Sequence, residues 1–177
     1  ASERSGFMHL ELHDYRTGKL IRPLTSGEWV VQRIIDVDET NSTIFFLANR
    51  ETPIEFHLYS VSYRDANATI ERITEEAGCH SIYGFDGTYS RCVTQWNSVD
   101  QYPIVRVIDV KKKQVIQTLD HIHQGQIPII EQFHFVIPKF IQIQNRNNDT
   151  LYGAIYQPDD EQGRHQKPYP TLVSVYG

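Results

Sequence analysis

The stretch Phe56-His-Leu-Tyr-Ser-Val-Ser-Tyr63, followed by a turn and then by Ile73-Thr74, decides the fold because it has a counterpart earlier in the chain. The earlier copy is Phe7-Met-His-Leu-Glu-Leu-His-Asp14, which leads through a turn to Leu24-Thr25. The two copies are 49 residues apart at their beginnings and at their ends. A fixed spacing of about 20 to 50 residues is typical of stacked repeat units.

The repeated stretches have the side-chain alternation of β-strands. Leu10 and Leu12 are separated by a polar residue in the first copy, as are Tyr59 and Val61 in the second. A third, weaker copy lies at residues 105–110 and ends in a lysine-rich turn. A period of two places every second side chain on the same face of a strand.

Further strands are predicted between the copies, at residues 30–37 and 43–48 and again at 81–85 and 88–96. Four short antiparallel strands in a unit of about 40 to 50 residues are typical of one blade of a β-propeller. A β-sandwich whose strands are evenly spaced is the alternative. We therefore expect a mostly β chain in which residues 1–125 are blades of an incomplete propeller.

The pattern changes near residue 125, and we expect a second domain at residues 126–177. Residues 141–144 and 150–157 read as two strands joined by the polar turn Asn145-Arg-Asn-Asn-Asp149. The last stretch, Thr171-Leu-Val-Ser-Val-Tyr176, is apolar without alternation. Continuous apolarity of strand length predicts a strand that is buried on both faces, as in a parallel or mixed sheet.

Composition excludes several classes of function. Hydrophobic residues make up 40% of the chain and the formal net charge is -5, values of an ordinary globular protein. Seventeen basic residues are outnumbered by 22 acidic ones, so no nucleic-acid partner is expected. No apolar run approaches the roughly 18 residues that a membrane span needs.

Two cysteines and three glycosylation sequons leave alternatives open. Cys79 and Cys92 flank a hairpin turn, so they could form a cross-strand disulfide or remain two buried free thiols. Asn41, Asn67 and Asn148 each begin an Asn-X-Ser/Thr triplet. Such triplets carry weight only in a secretory context.

Four stretches of the chain resemble a known family. Residues 150–158 and the closing stretch 167–177 are similar to the entry of the α/β-hydrolase domain in serine peptidases of the prolyl oligopeptidase family. Leu24-Thr-Ser-Gly-Glu-Trp29 and residues 53–63 resemble the dipeptidyl peptidase IV branch, and within it the dipeptidyl peptidase 8 and 9 subgroup. The resemblance runs through essentially the whole chain in order.

The resemblance implies a fragment of a serine-type enzyme that removes X-Pro or X-Ala dipeptides from peptide amino termini. It implies the last blades of a propeller followed by the first strands of an α/β-hydrolase domain. It also implies no metal or organic cofactor, peptide substrates with a free amino terminus, a homodimer and a cytoplasmic location. A secreted or membrane-anchored ectodomain is the alternative location, and a non-catalytic interaction or regulatory subunit is the alternative function.

One functional residue is carried over by the resemblance. The family's Val-Tyr-(Gly/Ala)-Gly-Pro segment has a tyrosine that helps to form the oxyanion hole, and Val175-Tyr176-Gly177 matches its beginning. The catalytic Ser, Asp and His are expected outside this chain, since no Gly-X-Ser-X-Gly occurs in it. The pair Glu75-Glu76 lacks the pattern around the glutamates that anchor the substrate amine, so we do not assign it that role.

The histidines do not predict a metal site. His9 and His13 have two residues between them rather than the three of His-Glu-X-X-His, and they lie on a predicted strand. His121 and His123 form the other close pair, and no cysteine or carboxylate cluster completes either. We expect these histidines to pack against strands or to lie at the surface.

Overall fold

The computed structural model describes residues 1–119, 136–157 and 168–175 of the chain. These residues contain strands and turns but no helix, so the expectation of a mostly β fold is confirmed. The chain forms two compact units, residues 1–127 and 128–177. The strands are β1 (Glu11–His13), β2 (Leu20–Pro23), β3 (Val31–Asp38), β4 (Thr43–Ala48), β5 (His57–Ser62), β6 (Glu71–Arg72), β7 (Cys79–Phe85), β8 (Arg91–Ser98), β9 (Gln101–Asp109), β10 (Gln114–Thr118), β11 (Lys139–Gln144) and β12 (Thr150–Ile155).

The first unit contains two four-stranded antiparallel sheets and a hairpin. Strands β3 to β6 form one sheet and β7 to β10 form the other, and each strand pairs with its neighbours in sequence. This is the four-stranded unit that the 49-residue spacing predicts. The sequence copies begin at the third strand of each sheet, however, so the sheets are offset from them by two strands. Strands β1 and β2 correspond to the third and fourth strands of a sheet.

Short polar turns connect the strands because aspartate side chains satisfy their backbone amides. The Asp38 carboxylate accepts hydrogen bonds from the amide N–H and the side chain of Asn41, and these bonds lower the pKa of Asp38. Asp86 accepts from the amides of Ser90 and Arg91 in the turn before β8. Aspartate favours such turns because it bonds to backbone groups a few residues ahead.

The sheet β3–β6 is buried on both faces, because successive side chains of its central strands point into two different cores. Phe46 and Tyr59 belong to one core, with Leu10, Leu24 and Trp29 from the region of the β1–β2 hairpin. The neighbouring residues Phe45 and Leu58 belong to the other, with Ile82, Cys92 and Ile108 from the sheet β7–β10. The two sheets and the hairpin therefore stack face to face, as blades do.

Strand limits differ from the sequence interpretation mainly in the first copy. We expected a strand through residues 7–14, and the paired strand β1 is only Glu11–His13, with an isolated bridge between Ser2 and His9. Strand β4 has the predicted limits of Thr43 and Ala48. A register shift also lies between Leu12 and His13 within β1.

The cysteines are free and far apart. Cys79 lies opposite Asn97 at the beginning of β7, whereas Cys92 lies opposite Phe85 at its end. At about 3.3 Å per residue, six residues of strand separate the two positions by about 20 Å. A disulfide needs Cα atoms less than about 7 Å apart, so both thiols are free, but only Cys92 is buried and Cys79 is partly exposed. Burial raises the pKa of Cys92 to about 12.

The second unit contains one hairpin, β11–β12, with an unbroken register from Lys139 opposite Ile155 to Gln144 opposite Thr150. The predicted polar turn is confirmed. The side chain of Asn145 accepts from the amides of Asn147 and Asp149 within it.

The strand predicted at the end of the chain is wrong in the described residues. Residues 171–175 have no regular secondary structure, and Leu172, Val173 and Val175 are 96%, 78% and 86% exposed. A strand forms only where neighbouring strands accept and donate its backbone hydrogen bonds, and no described residue pairs with this segment. Tyr176 lies outside the described residues.

Candidate functional site

One polar buried region of the first unit is the contact between the sheets β3–β6 and β7–β10, which we call the second junction. At its centre His57 of β5 is 1% exposed. Its Nδ1 lies 3.3 Å from the hydroxyl of Thr74, and that hydroxyl accepts a hydrogen bond from the amide of Leu58. Because the ionised Glu55 carboxylate can only accept, Nε2 carries a proton, and in the neutral ring Nδ1 accepts from the Thr74 hydroxyl.

The same arrangement occurs between the β1–β2 hairpin and the sheet β3–β6, which we call the first junction. Nδ1 of His9 lies 3.0 Å from the hydroxyl of Thr25, and that hydroxyl accepts from the amide of Leu10. Nε2 of His9 donates to the carbonyl of Gly27 at 2.9 Å. The repeat therefore preserves a histidine–threonine pair, which we call the His–Thr clasp.

A carboxylate and a guanidinium both lie within hydrogen-bond distance of the His57 ring. Nε2 donates to the Glu55 carboxylate at 3.0 Å, and Nη2 of Arg72 lies 3.2 Å from Nδ1 and 3.1 Å from Nε2. Arg72 is held there by the carbonyls of Thr74 and Glu75. Burial is the main cause that lowers the pKa of His57, and Arg72 lowers it further, against the opposing effect of Glu55.

A second buried histidine comes from the neighbouring sheet. His80 of β7 is 4% exposed, and its ring centre lies 5.2 Å from that of His57. Nε2 donates to the carbonyl of Glu76 at 3.0 Å, whereas Nδ1 has no hydrogen-bond partner among the described residues. Burial lowers the pKa of His80 to about 4, and the neighbouring His57 contributes in the same direction.

A cavity of about 210 Å³ lies beside His80, and a cluster of three side chains forms one of its walls. The guanidinium of Arg106 lies 4.4 Å from the ring centre of Trp96 and forms an ion pair with Glu76. Trp96 is fixed by a hydrogen bond from its indole N–H to the carbonyl of Ala77. The remaining lining residues are Ile73, Thr74, Glu75, Thr94, Ile108, Lys113 and Val115.

Several polar side chains that line the cavity are already paired with neighbouring groups. Its described lining contains no serine or cysteine, and the hydroxyl of Thr74 is engaged by His57 and Leu58. The carboxylate of Glu76 is neutralised by Arg106, and Lys113 forms an ion pair with Glu71. The second junction can therefore hold the sheets together and respond to protonation, but it provides no nucleophile.

The predicted site residues have different outcomes. Tyr176 lies outside the described residues, so its oxyanion role stays a prediction. Glu75 and Glu76 are at the second junction. The backbone carbonyl of Glu75 accepts a hydrogen bond from Arg72, and the carboxylate of Glu76 forms an ion pair with Arg106.

The histidines expected to pack against strands do so at His9, which contacts Trp29 edge to face with ring centres 4.8 Å apart. His13 instead bonds to Glu11 and Gly18. Among the described residues no group of three or more metal-binding side chains occurs. His121 and His123 lie outside those residues.

Sequence reasoning missed the His–Thr clasp, although a signal was present. His9 and His57 are 48 residues apart, whereas Thr25 and Thr74 are 49 apart. The histidines and the threonines are therefore not repeated with the same spacing. Aligning the copies at Phe7 and Phe56 placed the histidines out of phase. An alignment that allowed one residue of difference in the turn would have matched both pairs.

Comparisons with known proteins agree on one family. The model of the dipeptidyl peptidase IV N-terminal region matches residues 1–103. The chain is 31% identical to dipeptidyl peptidase 8 of Homo sapiens over 167 residues, which are 87% of this chain and 18% of that protein. It is 41% identical to a probable dipeptidyl peptidase 4 of Emericella nidulans over 184 aligned residues, covering 99% of this chain and 22% of that protein.

A solved structure shows the same arrangement of strands. The crystal structure of Porphyromonas gingivalis dipeptidyl peptidase 4 superposes with a TM-score of 0.73 at 25% sequence identity, over 90% of this chain and 22% of that one. The chain thus spans about a fifth of the length of the relatives that it matches. The described residues contain no helix with the length and apolarity needed to cross a bilayer.

Proposed function

Because the chain belongs to the family of the dipeptidyl peptidase IV N-terminal region, we propose that it is a segment of a serine-type dipeptidyl aminopeptidase. The enzyme removes X-Pro and X-Ala dipeptides from peptides with a free amino terminus by way of an acyl-enzyme. The observation that carries the proposal is the match of the family model over residues 1–103. The names of the curated relatives support it.

The domain assignment is part of the proposal. Residues 1–125 are the last blades of the propeller, and residues 126–177 begin the α/β-hydrolase domain. The hairpin β11–β12 and the apolar segment at residues 171–175 support the second assignment, since such segments require further strands to cover them. The catalytic Ser, Asp and His belong to parts of the protein outside these 177 residues.

Tyr176 is the residue of this chain that we propose for catalysis. A phenol O–H at a fixed position can donate a hydrogen bond to the oxyanion that develops when the nucleophile attacks the scissile carbonyl. This donation is stronger to the oxyanion than to the neutral carbonyl, so it lowers the barrier. No metal or organic cofactor takes part in this chemistry.

The proposed partners and location follow the same family. The full-length protein acts on peptides, forms a homodimer and resides in the cytoplasm, and a secreted or membrane-anchored ectodomain is the alternative. Cell fractionation of the native protein distinguishes these locations.

Activity of the full-length protein on Gly-Pro and Ala-Pro chromogenic amides tests the proposal. We expect hydrolysis that is blocked by diisopropyl fluorophosphate and lost when the substrate amine is acetylated. Absence of hydrolysis by a folded protein would favour the alternative, a non-catalytic interaction or regulatory subunit.

A tyrosine substitution tests the oxyanion role separately. We expect Tyr176→Phe to lower kcat by about 10²- to 10³-fold with little change in KM, because the lost hydrogen bond acts in the transition state. Tyr156→Phe is the matched control, since Tyr156 is 69% exposed in the neighbouring hairpin region. Equal kcat values for the two variants would exclude Tyr176 from the oxyanion hole.

A further inference from the structure

The second junction differs from an ordinary sheet contact because two buried imidazoles face each other across it. His57 belongs to β5 of one sheet and His80 to β7 of the other, with ring centres 5.2 Å apart. The backbone joins the same place, since the amide of His80 donates to the carbonyl of Phe56 at 2.9 Å. A change in either ring therefore acts directly on the contact between the sheets.

The hydrogen bonds of His57 fit a ring with one proton. Nε2 donates to the Glu55 carboxylate, so Nδ1 of the neutral ring accepts from the Thr74 hydroxyl. A proton on Nδ1 would make this nitrogen a donor that faces the guanidinium of Arg72, a group that can only donate, and it would reverse the bond to Thr74.

The surroundings of His80 are also fitted to a neutral ring. Nε2–H donates to the carbonyl of Glu76, and Nδ1 is buried without a partner. A protonated Nδ1 would be a buried N–H donor with no acceptor among the described residues, and a buried unpaired donor is costly. Protonation therefore favours a state in which His80 reaches water.

The charges that face the two rings are one guanidinium and three carboxylates, and the carboxylate nearest His80 is already paired. Arg72 is already a cation within 3.2 Å of His57. The carboxylates near His57 are those of Glu55 and Glu51, and the one near His80 is that of Glu76. Glu76 is paired with Arg106 of β9, so its charge is already balanced.

We propose that the second junction is an acid-sensitive joint, at which protonation of His57 or His80 weakens the contact between the sheets β3–β6 and β7–β10. Above neutral pH both rings are neutral and the joint is closed. As pH falls, the rings become charged and the junction opens locally. The low pKa of His80 places the greater part of the change between pH 6.5 and about pH 4.

Hydrogen exchange in the full-length protein tests this proposal. The readout is amide exchange in peptides covering residues 56–62 and 79–85, corrected for the intrinsic effect of pH. Between pH 7.5 and pH 5.0 we expect exchange in these peptides to increase by roughly thirtyfold. The reason is that burial lowers the pKa of His80 from the ordinary 6.5 to about 4. His80→Gln should remove most of the increase, and His57→Gln should leave the part that is due to His80.

His13→Gln is the matched control, because His13 is a partly exposed histidine of β1 outside the junction. It should leave the acid response of both peptides intact. The exchange of the imidazole C2 proton in the unmodified protein gives a second measurement that needs no folded variant, and it should show His80 titrating well below His13. A flat exchange profile from pH 7.5 to 5.0, an unchanged response in His80→Gln, or ordinary titration of His80 would overturn the proposal.

Discussion

The first and second junctions use the same backbone plan with different side chains. In each, a histidine forms the His–Thr clasp, and an amide from the next sheet donates to the carbonyl of the residue before that histidine: Val31 to Met8 at 2.8 Å and His80 to Phe56 at 2.9 Å. Around His9 the contact is aromatic, since the indole of Trp29 meets the ring edge to face. Around His57 it is ionic and contains a second histidine.

The difference shows which part of a repeat unit is fixed and which part is free to vary. The clasp supplies hydrogen bonds to the backbone at both junctions, so it is the part that recurs. The groups that pack against the histidine differ. They are the indole of Trp29 at the first junction and the side chains of Arg72 and His80 at the second. The first junction should therefore depend on packing and the second on pH.

The largest effect is expected at the first junction. Trp29 is 9% exposed and packs with Leu10, Leu24 and Phe46. We expect Trp29→Ala to lower the free energy of unfolding by about 3–5 kcal/mol, because it removes a large buried side chain and leaves a cavity. Urea unfolding of the full-length protein, followed by circular dichroism, measures the loss.

Tyr83→Ala is the control for this substitution, because Tyr83 is an aromatic residue that is 65% exposed. It should change the free energy of unfolding by no more than about 0.5 kcal/mol. A loss of less than 1 kcal/mol in Trp29→Ala would show that the first junction does not depend on the indole.

The next effect is the pH dependence of the second junction. Burial lowers the pKa of His80 to about 4, so between pH 6.5 and pH 4 the unfolded chain binds a proton that the folded chain does not. The stability due to His80 is therefore complete above pH 6.5 and is lost as pH falls, by about 3 kcal/mol in total. Urea unfolding at pH 7.5 and pH 5.0 should show the loss, and His80→Gln should reduce it.

His13 provides a contrast of opposite sign. Its bonds to the Gly18 carbonyl and the Glu11 carboxylate raise its pKa, so it stabilises the folded state below pH 6.5 and loses that effect as pH rises. His13→Gln should thus keep the acid loss or steepen it. A shallower loss in His13→Gln than in His80→Gln would contradict this assignment.

Much of the fold follows from the sequence alone, because alternation and turn chemistry are local. The four-stranded units, the turns at Asp38 and Asp86 and the hairpin at residues 139–155 are all foreseeable from period two and from polar turn residues. The strand predicted at residues 171–175 is wrong because burial is not a local property of the sequence. Its apolar side chains favour a buried strand, but such a strand forms only where neighbouring strands cover it.

Little of the site could be predicted, because its members come from different strands and from a linker. His57, Arg72, Glu76, His80 and Arg106 are polar residues on strands or turns, and single polar residues carry no periodic signal. Only the sheet stacking brings His57 within 5.2 Å of His80. The pairing of His9 with Thr25 and of His57 with Thr74 was detectable in principle, since both residue types recur.

A smaller effect is expected from two glycines that precede the junctions' second sheets. Gly27 and Gly78 have φ angles of 132° and 126°, which side-chain-bearing residues rarely adopt. A Cβ at Gly78 would lie 2.4 Å from the carbonyl oxygen of Asn97, whereas at Gly27 it would meet the Trp29 side chain. Because backbone yields less readily than a side chain, Gly78→Ala should cost about 2–3 kcal/mol and Gly27→Ala somewhat less.

Gly87→Ala is the control for both glycines, since a Cβ there meets nothing within 4 Å. It should be close to neutral in thermal unfolding. If Gly27→Ala proved more destabilising than Gly78→Ala, Trp29 would be held more rigidly than the backbone at Asn97, and the first junction would be the stiffer of the two.

The smallest effect concerns the clasp, which the two junctions share. Thr25→Val and Thr74→Val keep the shape of the side chain but remove the hydroxyl that serves both a histidine and an amide. Each should cost about 1–2 kcal/mol, because a buried amide and a buried imidazole nitrogen lose their partner. Thr74→Val should also change the acid response, since Nδ1 of His57 is then free of the hydroxyl proton. Equal pH profiles for Thr25→Val and Thr74→Val would mean that the clasp is purely structural at both junctions and that His80 alone carries the pH dependence.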